Sequence, residues 1–94
     1  MKEEKIGFIG LGNLGRNLAN SILFGGYKLF VHDLKIKNAD ELLKLGAQWC
    51  PDIKTLIKES SIIITCLPNA KVISKVFEKS NGILKYINNN HLII

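Results

Sequence analysis

The stretch GFIGLGNLGRNLA, residues 7–19, constrains this chain more than any other. It places four glycines, Gly7, Gly10, Gly12 and Gly15, within nine residues, directly after the apolar run KIGFI. The apolar run reads as a strand. Leu14, Leu18 and Ile22 then recur at i, i+4 and i+8, as in a helix over about Asn13 to Phe24. The bare backbone between them is a strand-to-helix turn. Gly10 permits a tight exit from the strand, Gly12 leaves the backbone open to close approach, and Gly15 lets the helix lie close to the sheet.

The alternation continues along the chain. Strand-like runs lie at 5–9 (KIGFI), 28–32 (KLFVH), 47–49 (AQW), 62–66 (IIITC) and 91–94 (HLII). A second helix is expected over about Ala39–Leu45, with Asn38 as its N-cap and Gly46 as its stop. A third spans about Pro51–Glu59, with Pro51 at the first helical position and Ile53, Leu56 and Ile57 on one face. A fourth spans about Ala70–Lys79, capped by Asn69, with Val72, Ile73, Val76 and Phe77 inward and SNG at 80–82 ending it. Strands and helices alternating through short loops imply a parallel sheet with helices on its faces and right-handed crossovers. IIITC lacks polar–apolar alternation, as a strand covered on both faces does. The expected fold is an α/β, Rossmann-type doubly wound parallel sheet with strand order 3-2-1-4-5. A natural domain rarely stops inside a strand, so the sheet reads as truncated after its fifth strand. Residues 1–94 then form one domain, incomplete at its C-terminal side. The run ending at Ile94 becomes an open apolar edge through which copies of the chain associate.

Composition removes several classes of function. A hydrophobic content of 47% excludes intrinsic disorder, and no apolar run approaches the length of a membrane span. The N-terminus passes from MKEE straight into a strand, without a signal or transit layout, so a cytoplasmic location is the default. The net charge of +5 comes from lysines spread singly along the chain without interleaved aromatics. That is a solvated surface, not a nucleic-acid face. Cys50 and Cys66 have no partners at metal-ligand spacing and form no disulfide framework; both read as reduced, small and partly buried. His32, inside the second strand, and His91, opening the last, read as structural or exposed.

Gly10-x-Gly12-x-x-Gly15 after a strand and before a helix is the context of a dinucleotide fingerprint. The amides near Asn13 and Leu14 then point at a pyrophosphate, and the helix dipole adds about 0.3–1 kcal/mol toward a negative group. Asp33 ends the second strand, 18 residues after Gly15, where an acid accepts hydrogen bonds from the adenosine ribose. A methyltransferase-type domain also carries glycines and an acid, but GLGNLG at a full helix start fits a dinucleotide better.

GFIGLGNLGRNLA, VHD, CLPN and NGILK together resemble the N-terminal domain of the β-hydroxyacid dehydrogenases, especially the 3-hydroxyisobutyrate dehydrogenase branch. The resemblance covers residues 5–94. Gly12 argues against the relative 6-phosphogluconate dehydrogenase, which usually lacks the middle glycine. The resemblance implies cofactor contacts at Gly10, Leu11, Gly12, Asn13, Leu14 and Gly15 in the phosphate turn. It also implies contacts at Asp33 and Leu34 beside the ribose, at Leu67 and Pro68 where the fourth strand ends, and at Val72 on the adenosine side. NADP-preferring relatives tend to carry Asn-Arg where this chain has Asp33-Leu34. Asp33 repels a 2′-phosphate and accepts from a free hydroxyl, a bond worth about 1.5–3 kcal/mol. NAD is therefore the expected cofactor; Lys35 and Lys37 soften the preference, and NADP is the alternative.

The same resemblance implies an Asp-x-Ser-Thr substrate segment, a sixth strand, a linking helix and a helical domain beyond the fifth strand. It places the acid/base lysine there too. No lysine of this chain matches that one, and Lys85 in NGILK reads as a loop residue. No catalytic residue is assigned, and no turnover of a hydroxy acid is expected of these residues alone. Two readings stand: the cofactor domain of an NAD-dependent oxidoreductase acting on a small 3-hydroxy acid, or a non-catalytic dinucleotide-binding module.

Overall fold

The computed structural model describes residues 4–78 and 81–94. Lys79 and Ser80, at the expected end of the fourth helix, lie outside the described residues. Strands β1 (Lys5–Ile9), β2 (Lys28–His32), β3 (Gln48–Trp49), β4 (Ile62–Thr65) and β5 (Leu92–Ile93) form one parallel sheet in the order β3-β2-β1-β4-β5, as expected. The centre falls to β1, whose residues from Ile6 to Ile9 are all buried. Phe8 sits in register with Val31 on one side and Ile64 on the other.

Successive strand residues point to opposite faces, and each face has its own core. Ile6, Phe8, Leu29 and Val31 pack with Ala19 of helix α1 (Asn13–Phe24) and Leu42 of α2 (Asp40–Lys44). On the other face Ile9, Phe30 and Ile63 meet Leu56 and Ile57 of α3 (Ile53–Glu59) and Ile83 of α5 (Ile83–Tyr86). Val76 and Phe77 of α4 (Ala70–Glu78) pack against this second core. Helices on both faces make the sheet doubly wound. Each fully buried Phe, Leu or Ile contributes about 1.5–3 kcal/mol through removal from water.

The first two strands and α1 coincide with the sequence reading, but α1 is rotated relative to it. Gly15 and Ala19 are buried, while Leu14 and Leu18 are 65% and 45% exposed. Small residues allow the helix axis to approach the sheet, and that close approach turns the leucines outward. A 3-10 turn at Ile36–Ala39 precedes α2, so Asn38 is not its cap and the helix begins at Asp40. Gly46 does stop α2: its N–H reaches the Leu43 carbonyl, and the Ala47 N–H reaches that of Leu42. Pro51 stands outside α3, because Asp52 is the cap and accepts the Thr55 N–H at 2.8 Å. Asn69 caps α4 as expected, accepting the Val72 N–H at 3.0 Å. Ile73 is exposed, since α4 presents only Val72, Val76 and Phe77 inward. NGILK contains the short helix α5, so Lys85 is helical, not a loop residue.

Cys50 is fully buried and Cys66 half-buried. His91 is structural, as expected. Its Nδ1 accepts the Asn88 N–H at 3.0 Å, which leaves Nε2 to donate to the Ile57 carbonyl at 2.9 Å. At the β5 edge Leu92 pairs with Ile62 and shares its face. Leu92 and Ile94 are 56% and 66% exposed.

Candidate functional site

An open cleft of about 830 Å³ runs along the carboxyl ends of β1, β2 and β4. Each strand delivers one part of it: Gly10 follows β1, Asp33 follows β2, and Cys66, Leu67 and Pro68 follow β4. The chain leaves β1 toward β2 and β3, then crosses back to place β4 on the other side of β1. Ligands of open α/β sheets bind at this kind of reversal, because the two connections diverge and leave a crevice. A smaller hollow of about 530 Å³ lies at the opposite end of the sheet, beside Lys54, Lys58, Ser61, Asn88 and His91.

The three glycines of the turn differ in what requires them. Gly10 has φ +100°, and a Cβ there would stand 2.2 Å from the Cys66 carbonyl oxygen. Gly15 lies so close to the turn that a Cβ would stand 2.1 Å from the Gly10 oxygen. Both are demanded by the fold itself. Gly12 is not: it has φ −67°, and a Cβ would meet nothing within 4 Å. Its bareness leaves the backbone open to the cleft. Gly12 is also the N-cap of α1, where no side chain caps the first turn and no acid occupies it. First-turn N–H groups lack intrahelical partners, so this end offers donors and a positive dipole end to an anion. These features fit a pyrophosphate.

Asp33 is held from three sides. Its Oδ1 accepts the Leu11 N–H at 2.9 Å; its Oδ2 accepts the Lys35 N–H at 3.0 Å and the Asn38 Nδ2 at 2.8 Å. Partial burial alone would raise this carboxyl. The two backbone donors, the Asn38 amide and the nearby His32 ring outweigh burial and hold it below its ordinary 3.8. Asp33 therefore stays ionised, and Oδ1 keeps a lone pair for a further donor.

Of the residues singled out in the sequence, Gly10, Gly12, Asn13, Leu14, Gly15, Asp33, Leu34, Leu67, Pro68 and Val72 all line the cleft. Leu11 does not. Its side chain is fully buried in the core, and its N–H is already given to Asp33, so only its backbone touches the site. Lining residues to which sequence reasoning gave no place in the site include His32, Asn38, Cys66 and Lys75; Lys35, expected only to soften the cofactor preference, lines it as well. His32 binds the Cys50 carbonyl through Nδ1 at 2.9 Å and lies against Trp49, a structural role. Lys75 stands one turn beyond Val72 on the same helix; that spacing was the available signal. Among the described residues no group of three or more His, Cys, Asp or Glu side chains forms a metal centre. Among them, too, no helix is long and apolar enough to cross a membrane.

A parallel sheet with a glycine turn, an uncapped helix start and a strand-end carboxylate around its reversal point defines a dinucleotide-binding domain of the Rossmann type. Residues 5–94 match the family described as the NAD binding domain of 6-phosphogluconate dehydrogenase, and the chain belongs to that family. It is 37% identical over 83 residues to 2-(hydroxymethyl)glutarate dehydrogenase of Eubacterium barkeri, covering 88% of this chain and 28% of that protein. It is 36% identical over 76 residues to the mitochondrial 3-hydroxyisobutyrate dehydrogenase of Drosophila melanogaster, covering 81% and 24%. Among solved structures, Psf3 in complex with NADP+ and 2-OPP superposes with a TM-score of 0.89 at 26% identity, covering 94% of this chain and 31% of that one. The chain thus spans under a third of the length of these proteins. It is an NAD(P)-binding domain related to those of hydroxyacid dehydrogenases.

Proposed function

We propose that this chain is the cofactor-binding part of an oxidoreductase that moves hydride between NAD and a small 3-hydroxy acid such as 3-hydroxyisobutyrate. The observation that carries the cofactor half is the placement of open Gly12, at the start of α1, and ionised Asp33 in one cleft. The names of the two dehydrogenases to which it is similar support the substrate half.

In this reading the backbone of Gly10, Leu11, Gly12, Asn13, Leu14 and Gly15 forms the pyrophosphate turn. Leu11 acts by fixing Asp33, and Asp33 accepts from the adenosine ribose. Leu34, Leu67, Pro68 and Val72 supply apolar walls. The nicotinamide, when bound, carries the hydride. NAD is favoured over NADP because a 2′-phosphate would approach the Asp33 carboxylate, and Leu34 offers it no cation. The same reading includes association of copies through the β5 edge and a cytoplasmic location; the Drosophila relative is mitochondrial by its name.

Calorimetric titration tests the cofactor half. NAD should bind the folded chain at least about tenfold more tightly than NADP, the ratio expected from one charged hydrogen bond. Binding of neither dinucleotide would refute the reading, and equal or tighter NADP would refute the preference. For the substrate half, this chain should replace the corresponding segment of the Drosophila enzyme. NADH formation from 3-hydroxyisobutyrate is expected of that chimera. A folded chimera that binds NAD without turnover would refute it.

A further inference from the structure

The sequence marks Asn38 as a helix cap, yet the structure leaves it no capping role: Ala39 occupies the cap position of α2 and no side chain bonds there. Asn38 instead lies in the 3-10 turn at Ile36–Ala39, its N–H closing onto the Lys35 carbonyl at 3.0 Å. That turn carries its side chain to Asp33. A carboxylate only accepts, so the atom facing Asp33 Oδ2 at 2.8 Å must be the amide nitrogen. The orientation of the amide is thereby fixed. Its oxygen and second N–H have no partner among the described residues, and Asn38 lines the same cleft as Asp33.

We infer that Asn38 is a second reader of the cofactor's adenosine ribose and sets the choice between NAD and NADP together with Asp33. This rests on the dinucleotide reading. Both acceptor positions of Asp33 Oδ2 are filled, by the Lys35 N–H and by Asn38, while Oδ1 carries only the Leu11 N–H. The carboxylate therefore presents one vacant acceptor position, on Oδ1. A ribose with free 2′ and 3′ hydroxyls has two donors. Asp33 Oδ1 accepts one and the free Asn38 amide oxygen accepts the other. A 2′-phosphate removes one of these donors and brings negative charge to two acceptors. Asn38 thus acts both by contact and by holding Asp33 in the orientation that presents Oδ1.

The test is titration of the purified chain and two variants, Asn38→Ala and the near-isosteric Asn38→Leu, with NAD and with NADP. Both variants keep the backbone N–H that closes the turn; each loses the amide bond to Asp33, so the melts should fall by a few degrees while unfolding stays cooperative and the chain stays folded at the titration temperature. Both should lose about tenfold in NAD affinity while NADP affinity stays level, so that the NAD/NADP ratio collapses by that factor. Loss of the same factor for both dinucleotides would make Asn38 a merely structural residue and overturn the inference. So would unchanged affinity for NAD. A parent chain that binds neither dinucleotide would instead reject the underlying reading, and the inference with it.

Discussion

The Leu11 backbone N–H donates to Asp33 Oδ1 across 2.9 Å, joining the glycine turn after β1 to the end of β2. A second tie runs alongside it, from the Gly10 N–H to the His32 carbonyl at 3.1 Å. The glycine turn and the Asp33 carboxylate are therefore one bonded unit. Anything that displaces Asp33 also releases a donor in the glycine turn, which would couple the two ends of the cofactor site in the proposed reading.

The glycines separate binding from folding. Gly12→Val should leave the melting temperature within a few degrees of the parent, since a Cβ there meets nothing within 4 Å, and should abolish NAD binding. Gly15→Ala should destabilise the chain by about 1–3 kcal/mol, the usual cost of forcing atoms into a filled contact, because its Cβ would stand 2.1 Å from the Gly10 oxygen. Denaturant melts and titrations on both variants check this. A Gly12→Val protein that binds NAD normally would remove the pyrophosphate from that position.

Acid should weaken the site through Asp33. Its folded carboxyl lies below the ordinary 3.8. The stabilisation from its ionised form is present above the unfolded value and is lost as pH falls through the lower folded value. Asp33→Asn should therefore be less stable than the parent at about pH 7, with the gap closing below about pH 4. Melts across that interval measure it; a gap independent of pH would show that the carboxylate's charge contributes nothing.

The two thiols should behave differently. Burial, helped by Glu59 and Asp52, pushes Cys50 up to about 11, whereas Cys66 is half-buried and lines the cleft. A thiol-reactive dye at about pH 8 should modify one cysteine in the native chain, because only an accessible thiolate reacts readily. Both should react after denaturation. Cys66→Ser should remove the native reaction, and NAD should slow it in the parent. Rapid native labelling of Cys50 would contradict the packing of the second core.

The β5 edge should drive self-association. Leu92 and Ile94 are exposed on the face they share with Ile62, and an exposed apolar edge strand is a template for another chain. Sedimentation across a concentration series should show the average mass rising with concentration. Leu92→Lys with Ile94→Lys should suppress that rise. A parent chain that stays monomeric throughout would dismiss the edge as an interface.

Much of this molecule could be read from the chain alone, because the relevant requirements are local. The GLGNLG turn, the β1 and β2 boundaries, the extent of α1 and the acid at Asp33 each follow from a few adjacent residues whose backbone freedom or periodicity favours one structure; the strand order followed instead from the Rossmann-type fold that the alternation of strands and helices implied. Caps at Asn69 and Gly46 were legible for the same reason. Tertiary structure decided what depends on approach distances between elements. Leu14 and Leu18 face outward because Gly15 packs against the Gly10 carbonyl, a distance that no helical period encodes. Leu11 proved to be a core residue whose N–H alone reaches the site, since its exit from β1 turns the side chain into the core. Asn38 left its expected cap because Asp33, five residues earlier, supplied a charged acceptor. Hydrogen bonds to charge are roughly twice as strong as those between neutral groups, and only the folded turn brings that amide within reach of the carboxylate.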